Sequence, residues 1–170
     1  MQYWPCFTTA QIDIVNRARE RAAGLVTEYY RVAPREWQRM RYEVRTLRLL
    51  DSSEVTDRAL AQTLCYGFKR EAGPAVLEEG DIYRICLQDH RILRAAERDR
   101  MELDPLLTYV LTHELVHVVR FGQRLQRLDL PLELRPLEER RVEKTTRAIL
   151  ARSDDPDLKL VLSSLTARVD

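Results

Sequence analysis

The chain is poor in the residues that make special architectures. Its 170 residues hold only 3 cysteines, Cys6, Cys65 and Cys86, and no CxxC pair. An odd, scattered set does not form a disulfide framework and fits a reducing compartment. With Gly 5 and Pro 7, collagen-like and linker-rich designs are excluded. No apolar run approaches the roughly 18 residues that span a bilayer. The N-terminus lacks a basic start followed by an apolar stretch, so it does not read as a secretory signal. The expected location is therefore the cytoplasm, with no membrane partner. Charge of one sign is also missing. Lys+Arg 28 against Asp+Glu 27 leaves +1, which argues against nucleic acid as an obligatory partner.

What is present is an apolar fraction of 45% beside 32% charged residues, enough for a packed core. The length suits a single domain spanning residues 1–170. Thr8 and Thr9 can cap a helix starting near Ala10, whose apolar face carries Ile12, Val15, Ala18, Ala22, Leu25, Val26 and Tyr29 and which stops before Pro34. Residues 40–49 alternate as a half-exposed strand would. Residues 57–69 fit either helix or strand. Gly73-Pro74 and Gly80-Asp81 read as breaks, and 82–87 as a strand rich in β-formers. Asp89 can cap the helix that follows. Asp104-Pro105 marks another helix start, because Asp caps and Pro fits the first helical position. That helix should run to Phe121 and end at Gly122. Further helices are expected at 136–152 and 156–167, after a connecting segment at 123–135. The predicted class is α+β, with a small sheet packed on the 105–121 helix and further helices behind it.

The 105–121 helix is apolar almost all round, which predicts burial. Inside it stands His113-Glu114-Leu115-Val116-His117, holding two of the chain's 3 histidines. A spacing of four puts both imidazoles on one helical face, one turn apart, where they can grip a single ion. Glu114 is offset so that it can reach a metal-bound water without ligating the metal. Burying such groups in an apolar helix is costly unless something satisfies them, and a metal ion would. This is the HExxH pattern.

On that motif, over residues 106–150, the chain resembles the zincin metallopeptidases. The longer stretch from Tyr109 to Phe121 also resembles a group of bacterial proteins of similar size, a likeness that brings no substrate with it. Zincins with a third histidine ligand need Gly and His where this chain has Arg120 and Gln123, so that subgroup is excluded. The glutamate subgroup (gluzincins) takes its third ligand from a later helix, and the 136–152 helix offers Glu138, Glu139 and Glu143. The inner face of that helix favours Glu139 as ligand. Glutamate zincins often pair that ligand with an acidic residue four further on, which orients a ligand histidine, and Glu143 stands there. The reverse assignment of Glu139 and Glu143 stays open.

The resemblance implies a zinc-dependent peptidase: His113, His117 and Glu139 hold Zn, Glu114 is the general base, and a peptide or protein is the substrate. The competing class is a non-catalytic metal-binding structural or regulatory module on the same scaffold. Tyr83, Tyr109, His90 and Arg120 are the candidate oxyanion donors. The strand at 82–87 is the expected sheet edge for an extended peptide. His90 otherwise reads as a capping or surface residue. The arginines from Arg31 to Arg48 read as a solvated face, and Trp4, Tyr29, Tyr30 and Trp37 as packing residues.

Overall fold

The computed structural model describes residues 4–71 and 77–166, with the side chains of residues 68–71, 77–79 and 166 left aside. The Gly73-Pro74 break lies outside the described residues. Among these there are six α-helices and one three-stranded sheet, in the order α1 (Thr9–Tyr30), α2 (Pro34–Arg39), β1 (Tyr42–Arg45), β2 (Ala61–Glu71), β3 (Leu77–Leu87), α3 (Asp89–Asp99), α4 (Leu103–Gly122), α5 (Arg135–Leu150) and α6 (Pro156–Thr166). The α+β class is as expected.

Helix α4 is the centre of the molecule. Thirteen of its residues are buried, from Pro105 to Val119, so its nearly continuous apolar character has the predicted consequence. Two buried hydroxyls on it are satisfied locally: Thr108 Oγ1 donates to the Asp104 carbonyl and Thr112 Oγ1 to that of Thr108, at 2.9 and 2.7 Å. Helix α1 packs along α4 through Val15, Ala18, Ala22 and Val26, the face read from its periodicity. A capping box between Thr8 and Gln11 starts it. At the far end of α4, Gly122 lies so close to the Met40 side chain that a Cβ would collide with it.

The sheet has the order β1-β3-β2. β1 runs parallel to β3, from Tyr42 opposite Tyr83 to Arg45 opposite Cys86. β2 is antiparallel to β3, from Ala61 opposite Leu87 to Glu71 opposite Leu77. One face, carrying Tyr83, Ile85 and Leu87, is buried toward the helices. The opposite face carries Arg84 and Tyr66, whose polar ends meet Glu54 from a 3-10 turn.

Several expectations are corrected. The 82–87 strand is part of β3, which is central, so the edges are β1 and β2, and of these β2 lies along the groove described below. Gly80 and Asp81 lie within β3 because the β2–β3 ladder continues past them. The 40–49 strand shrinks to Tyr42–Arg45, and a 3-10 turn takes Leu47–Leu49. Residues 61–69 of the ambiguous segment are strand, since pairing with β3 decided what local pattern could not. Asp89 is not the cap of α3. Its buried carboxylate instead accepts the N–H groups of Phe7 and Leu47, both at 2.9 Å, and ties the N-terminal segment to the sheet region. Asp104 sits in the first turn of α4, after Glu102 at the cap position, where it still favours the helix dipole. No helix among the described residues is long and apolar enough to cross a membrane.

Candidate metal centre

Residues spaced four apart form a ladder of rings up one face of α4. Tyr109 lies 6.4 Å from His113, His113 5.2 Å from His117, and His117 6.1 Å from Phe121, centroid to centroid. Phe121 closes the ladder by stacking on Tyr83 at 5.8 Å. The two imidazoles are thus held from above and below by aromatic rings on their own helix.

Helix α5 crosses this face and supplies the carboxylates. Glu139 Oε2 lies 3.4 Å from His113 Nε2, and Glu139 Oε1 lies 3.3 Å from His117 Nε2. His113, His117 and Glu139 form a group in which one donor atom from each lies within 4.8 Å of the others. Four ligands around a zinc ion at about 2.05 Å are separated by ~3.3 Å, the edge of a tetrahedron. Each Glu139 oxygen faces one imidazole at about that separation, and two imidazoles with a carboxylate are a donor set suited to the ion.

Each remaining ring nitrogen faces a side-chain oxygen, hydrogen-bonded for His117 and only close for His113. His117 Nδ1 lies 3.2 Å from Gln126 Oε1, to which its N–H donates, leaving the Nε2 lone pair for the groove. His113 Nδ1 is buried and faces Glu143 Oε2 at 3.4 Å. Glu143 is itself held on both oxygens: the Tyr109 hydroxyl donates to Oε2 at 2.6 Å, and Arg147 Nε lies 2.6 Å from Oε1. A carboxylate beside the outer nitrogen of an imidazole raises that ring's basicity and so makes it a better ligand.

The electrostatics follow from this crowding. Burial alone would lower the His113 pKa, but the Glu139 and Glu143 carboxylates outweigh it and push it up to about 10. Glu139 is held far below the ordinary carboxylate range by the His113 and His117 imidazoles that face it. Burial would raise Glu143, yet His113 and Tyr109 bring it down to about 2. Burial, reinforced by Glu143, raises the Tyr109 hydroxyl.

Glu114 is 5% exposed and points toward the sheet. Thr63 Oγ1 on β2 donates to its Oε2 at 2.7 Å. Both Glu114 and Thr63 line a groove of about 840 Å³ that also takes in His113, His117 and Glu139. One wall is the edge strand from Ala61 to Cys65, and the other is the segment after α4, with Gln126, Leu128 and Leu130.

The other sequence candidates are placed as follows. Glu138 also borders the groove, but it is buried and its carboxylate is engaged by Arg120, with Arg120 Nε 2.6 Å from its Oε1. That bond also occupies Arg120. Tyr83 is buried against Phe121, and burial raises its hydroxyl pKa. His90 is neither cap nor surface residue: it is 3% exposed, lies under Trp4 at 3.9 Å and faces Asp57 at 3.2 Å. Of the proposed oxyanion donors only Tyr109 lines the groove, and its hydroxyl is committed to Glu143. Thr63, Gln126 and Arg147 were not anticipated. Arg147 had a legible signal, its spacing of four from Glu143 on one helix. Thr63 and Gln126 had none, because only tertiary folding brings them to α4.

No protein-family model, curated protein or solved structure matches the chain.

Proposed function

We propose that this protein is a zinc-dependent peptidase of the zincin type, cleaving a peptide or protein substrate in the groove between α4, α5 and the edge strand β2. The observation that carries the reading is the meeting of Glu139 with both Nε2 atoms of the HExxH histidines at 3.3 and 3.4 Å. His113, His117 and Glu139 would hold the ion. A bound zinc ion supplies Lewis acidity and brings the pKa of its water to about 7.

The chain's own residues supply the rest. Thr63 occupies Oε2 of Glu114, which leaves Oε1 as the atom that accepts the water's proton and passes it to the leaving amine. Gln126 and Glu143 orient the imidazoles so that both present Nε2 to the groove. The apolar packing of α4 backs the helix side of the site, and the groove opens the site to solvent. β2, an edge strand of the sheet, borders the groove, where an extended peptide can pair by backbone hydrogen bonds.

A closed structural metal site needs a fourth protein ligand, and the group among the described residues has three, His113, His117 and Glu139. That count favours catalysis over a purely structural ion. The test is Glu114→Gln. The variant should bind zinc as the parent does and lose peptide hydrolysis, by about 10²-fold or more, on a fluorogenic peptide library. Retained hydrolysis in a zinc-loaded Glu114→Gln sample removes Glu114 from the chemistry.

A further inference from the structure

The carboxylate of Glu143 is gripped from two sides, and the second grip reaches beyond the site. Arg147 Nε contacts Glu143 Oε1 at 2.6 Å. The same guanidinium donates from Nη1 to the Leu162 carbonyl of α6 at 2.9 Å. That carbonyl lies near the C-terminal turn of α6, where a cation is favoured by the helix dipole. One rigid fork thus bridges a carboxylate on α5 and a backbone oxygen on α6. From Leu162 the chain of contacts runs through Arg147 to Glu143, and from Glu143 Oε2 to His113 Nδ1 at 3.4 Å. Tyr109 holds the same Oε2 at 2.6 Å, so Arg147 fixes the orientation of the carboxyl plane about the axis that Tyr109 leaves free. Helix α6 is anchored independently by Leu158 and Val161, both in the core. Its position is therefore a fixed reference against which Arg147 can hold Glu143.

We propose that Arg147 is a positioning residue that ties α6 to the metal centre through Glu143, so that zinc affinity and the docking of α6 are linked. The inference rests on the metal reading above. Glu143 aims the His113 ring only while its own plane is held, and α6 is held more firmly when the ring is fixed by an ion. Linkage requires the effect to run in both directions.

The experiment uses the full chain, as parent, Arg147→Met and Arg147→Lys. Zinc affinity is measured by competition with a chromogenic chelator, and hydrogen exchange of residues 156–166 is followed with and without zinc. The parent should bind zinc, and zinc should slow exchange in α6. Arg147→Met should bind zinc about 10–100-fold more weakly, the usual cost of losing an outer partner of a ligand. Its α6 exchange should no longer respond to zinc. Arg147→Lys restores the charge but cannot span both partners, so it should recover part of the affinity and none of the exchange response. If Arg147→Met fails to fold, Arg147→Lys is read by the same two measurements. Parent-like affinity in the folded variants overturns the proposal while leaving the metal centre standing. A parent that binds no zinc overturns the metal centre itself, and this linkage with it.

Discussion

Two clusters of carboxylates flank the sheet and α4, and they are built to opposite ends. On the outer face of the sheet, Glu54 is 1% exposed and saturated. Its Oε1 accepts from Arg84 at 2.6 Å and Tyr66 at 2.7 Å, and its Oε2 from the Asp51 N–H at 2.9 Å. Arg84 turns its other nitrogens to Glu43 and lies over the Tyr66 ring at 4.6 Å. Tyr66, outweighing burial and joined by Arg84, holds the Glu54 pKa at about 2. Permanent cations, Arg84 between both carboxylates and Arg45 beside Glu43, neutralise this cluster within the chain. On the groove side, Glu139 meets imidazoles in place of arginine, at separations longer than an ordinary N–H···O bond. Its balancing charge is exchangeable, a proton on His113 or a metal ion. The contrast separates a carboxylate that fastens the fold from one arranged to receive a cation.

The sharpest way to break this contrast is to remove one imidazole. His117→Ala should abolish zinc binding, a loss of about 10³-fold or more in affinity (~4 kcal/mol), and leave the ion-free protein folded. Chelator competition paired with circular dichroism reads both. Undiminished zinc binding would place the ion elsewhere.

The mirror experiment is Glu54→Gln. It leaves Arg84 buried without its full counter-charge and should cost about 3–5 kcal/mol in denaturant unfolding, with zinc affinity unchanged. A shift in zinc affinity equal to that of the metal-site variant would erase the distinction between the clusters. The parent cluster has a matching pH signature. The Glu54 pKa is depressed on folding, so its stabilisation is complete above about pH 4.5 and is lost as pH falls toward about 2.

The smallest effect concerns protons. His113 is raised to about 10, so its charged form stabilises the ion-free fold fully below about pH 6.5, and that contribution fades as pH rises through about 10. An ion must displace this proton. Zinc binding near pH 8 should therefore release about one proton, seen as a buffer-dependent heat in calorimetry, and affinity should climb about tenfold per pH unit. Binding with no proton release would mean that His113 is already neutral in the ion-free protein.

Part of this was legible in the sequence, for identifiable reasons. The helical spacing of His113 and His117 and the apolar dress of α4 are local facts, so the helix and its buried face could be read directly. Glu139 and Glu143 could be nominated because the inner face of α5 follows from Val142, Thr146 and Ile149. That Glu139 faces both imidazoles while Glu143 faces His113 depends on the crossing of α4 and α5, which no local pattern encodes. The same limit explains β2 and β3. Which strand is an edge depends on pairing between residues far apart in the chain, and the ladder carried through Gly67 and Gly80-Asp81 despite their weak intrinsic preference. His90 misled for a related reason, since Trp4, some 86 positions away, covers it.

By itself the sequence determined the helix periods, the burial of α4, and two imidazoles one turn apart on one face. Those follow from backbone geometry and the hydrophobic effect acting over a few residues. Tertiary structure alone decided that Glu139 would meet both imidazoles, that Thr63 and Gln126 would hold the flanking groups, and that β2 would be the edge strand along the groove. Each of these joins segments distant in the chain, and only the packing of the whole core sets their separations.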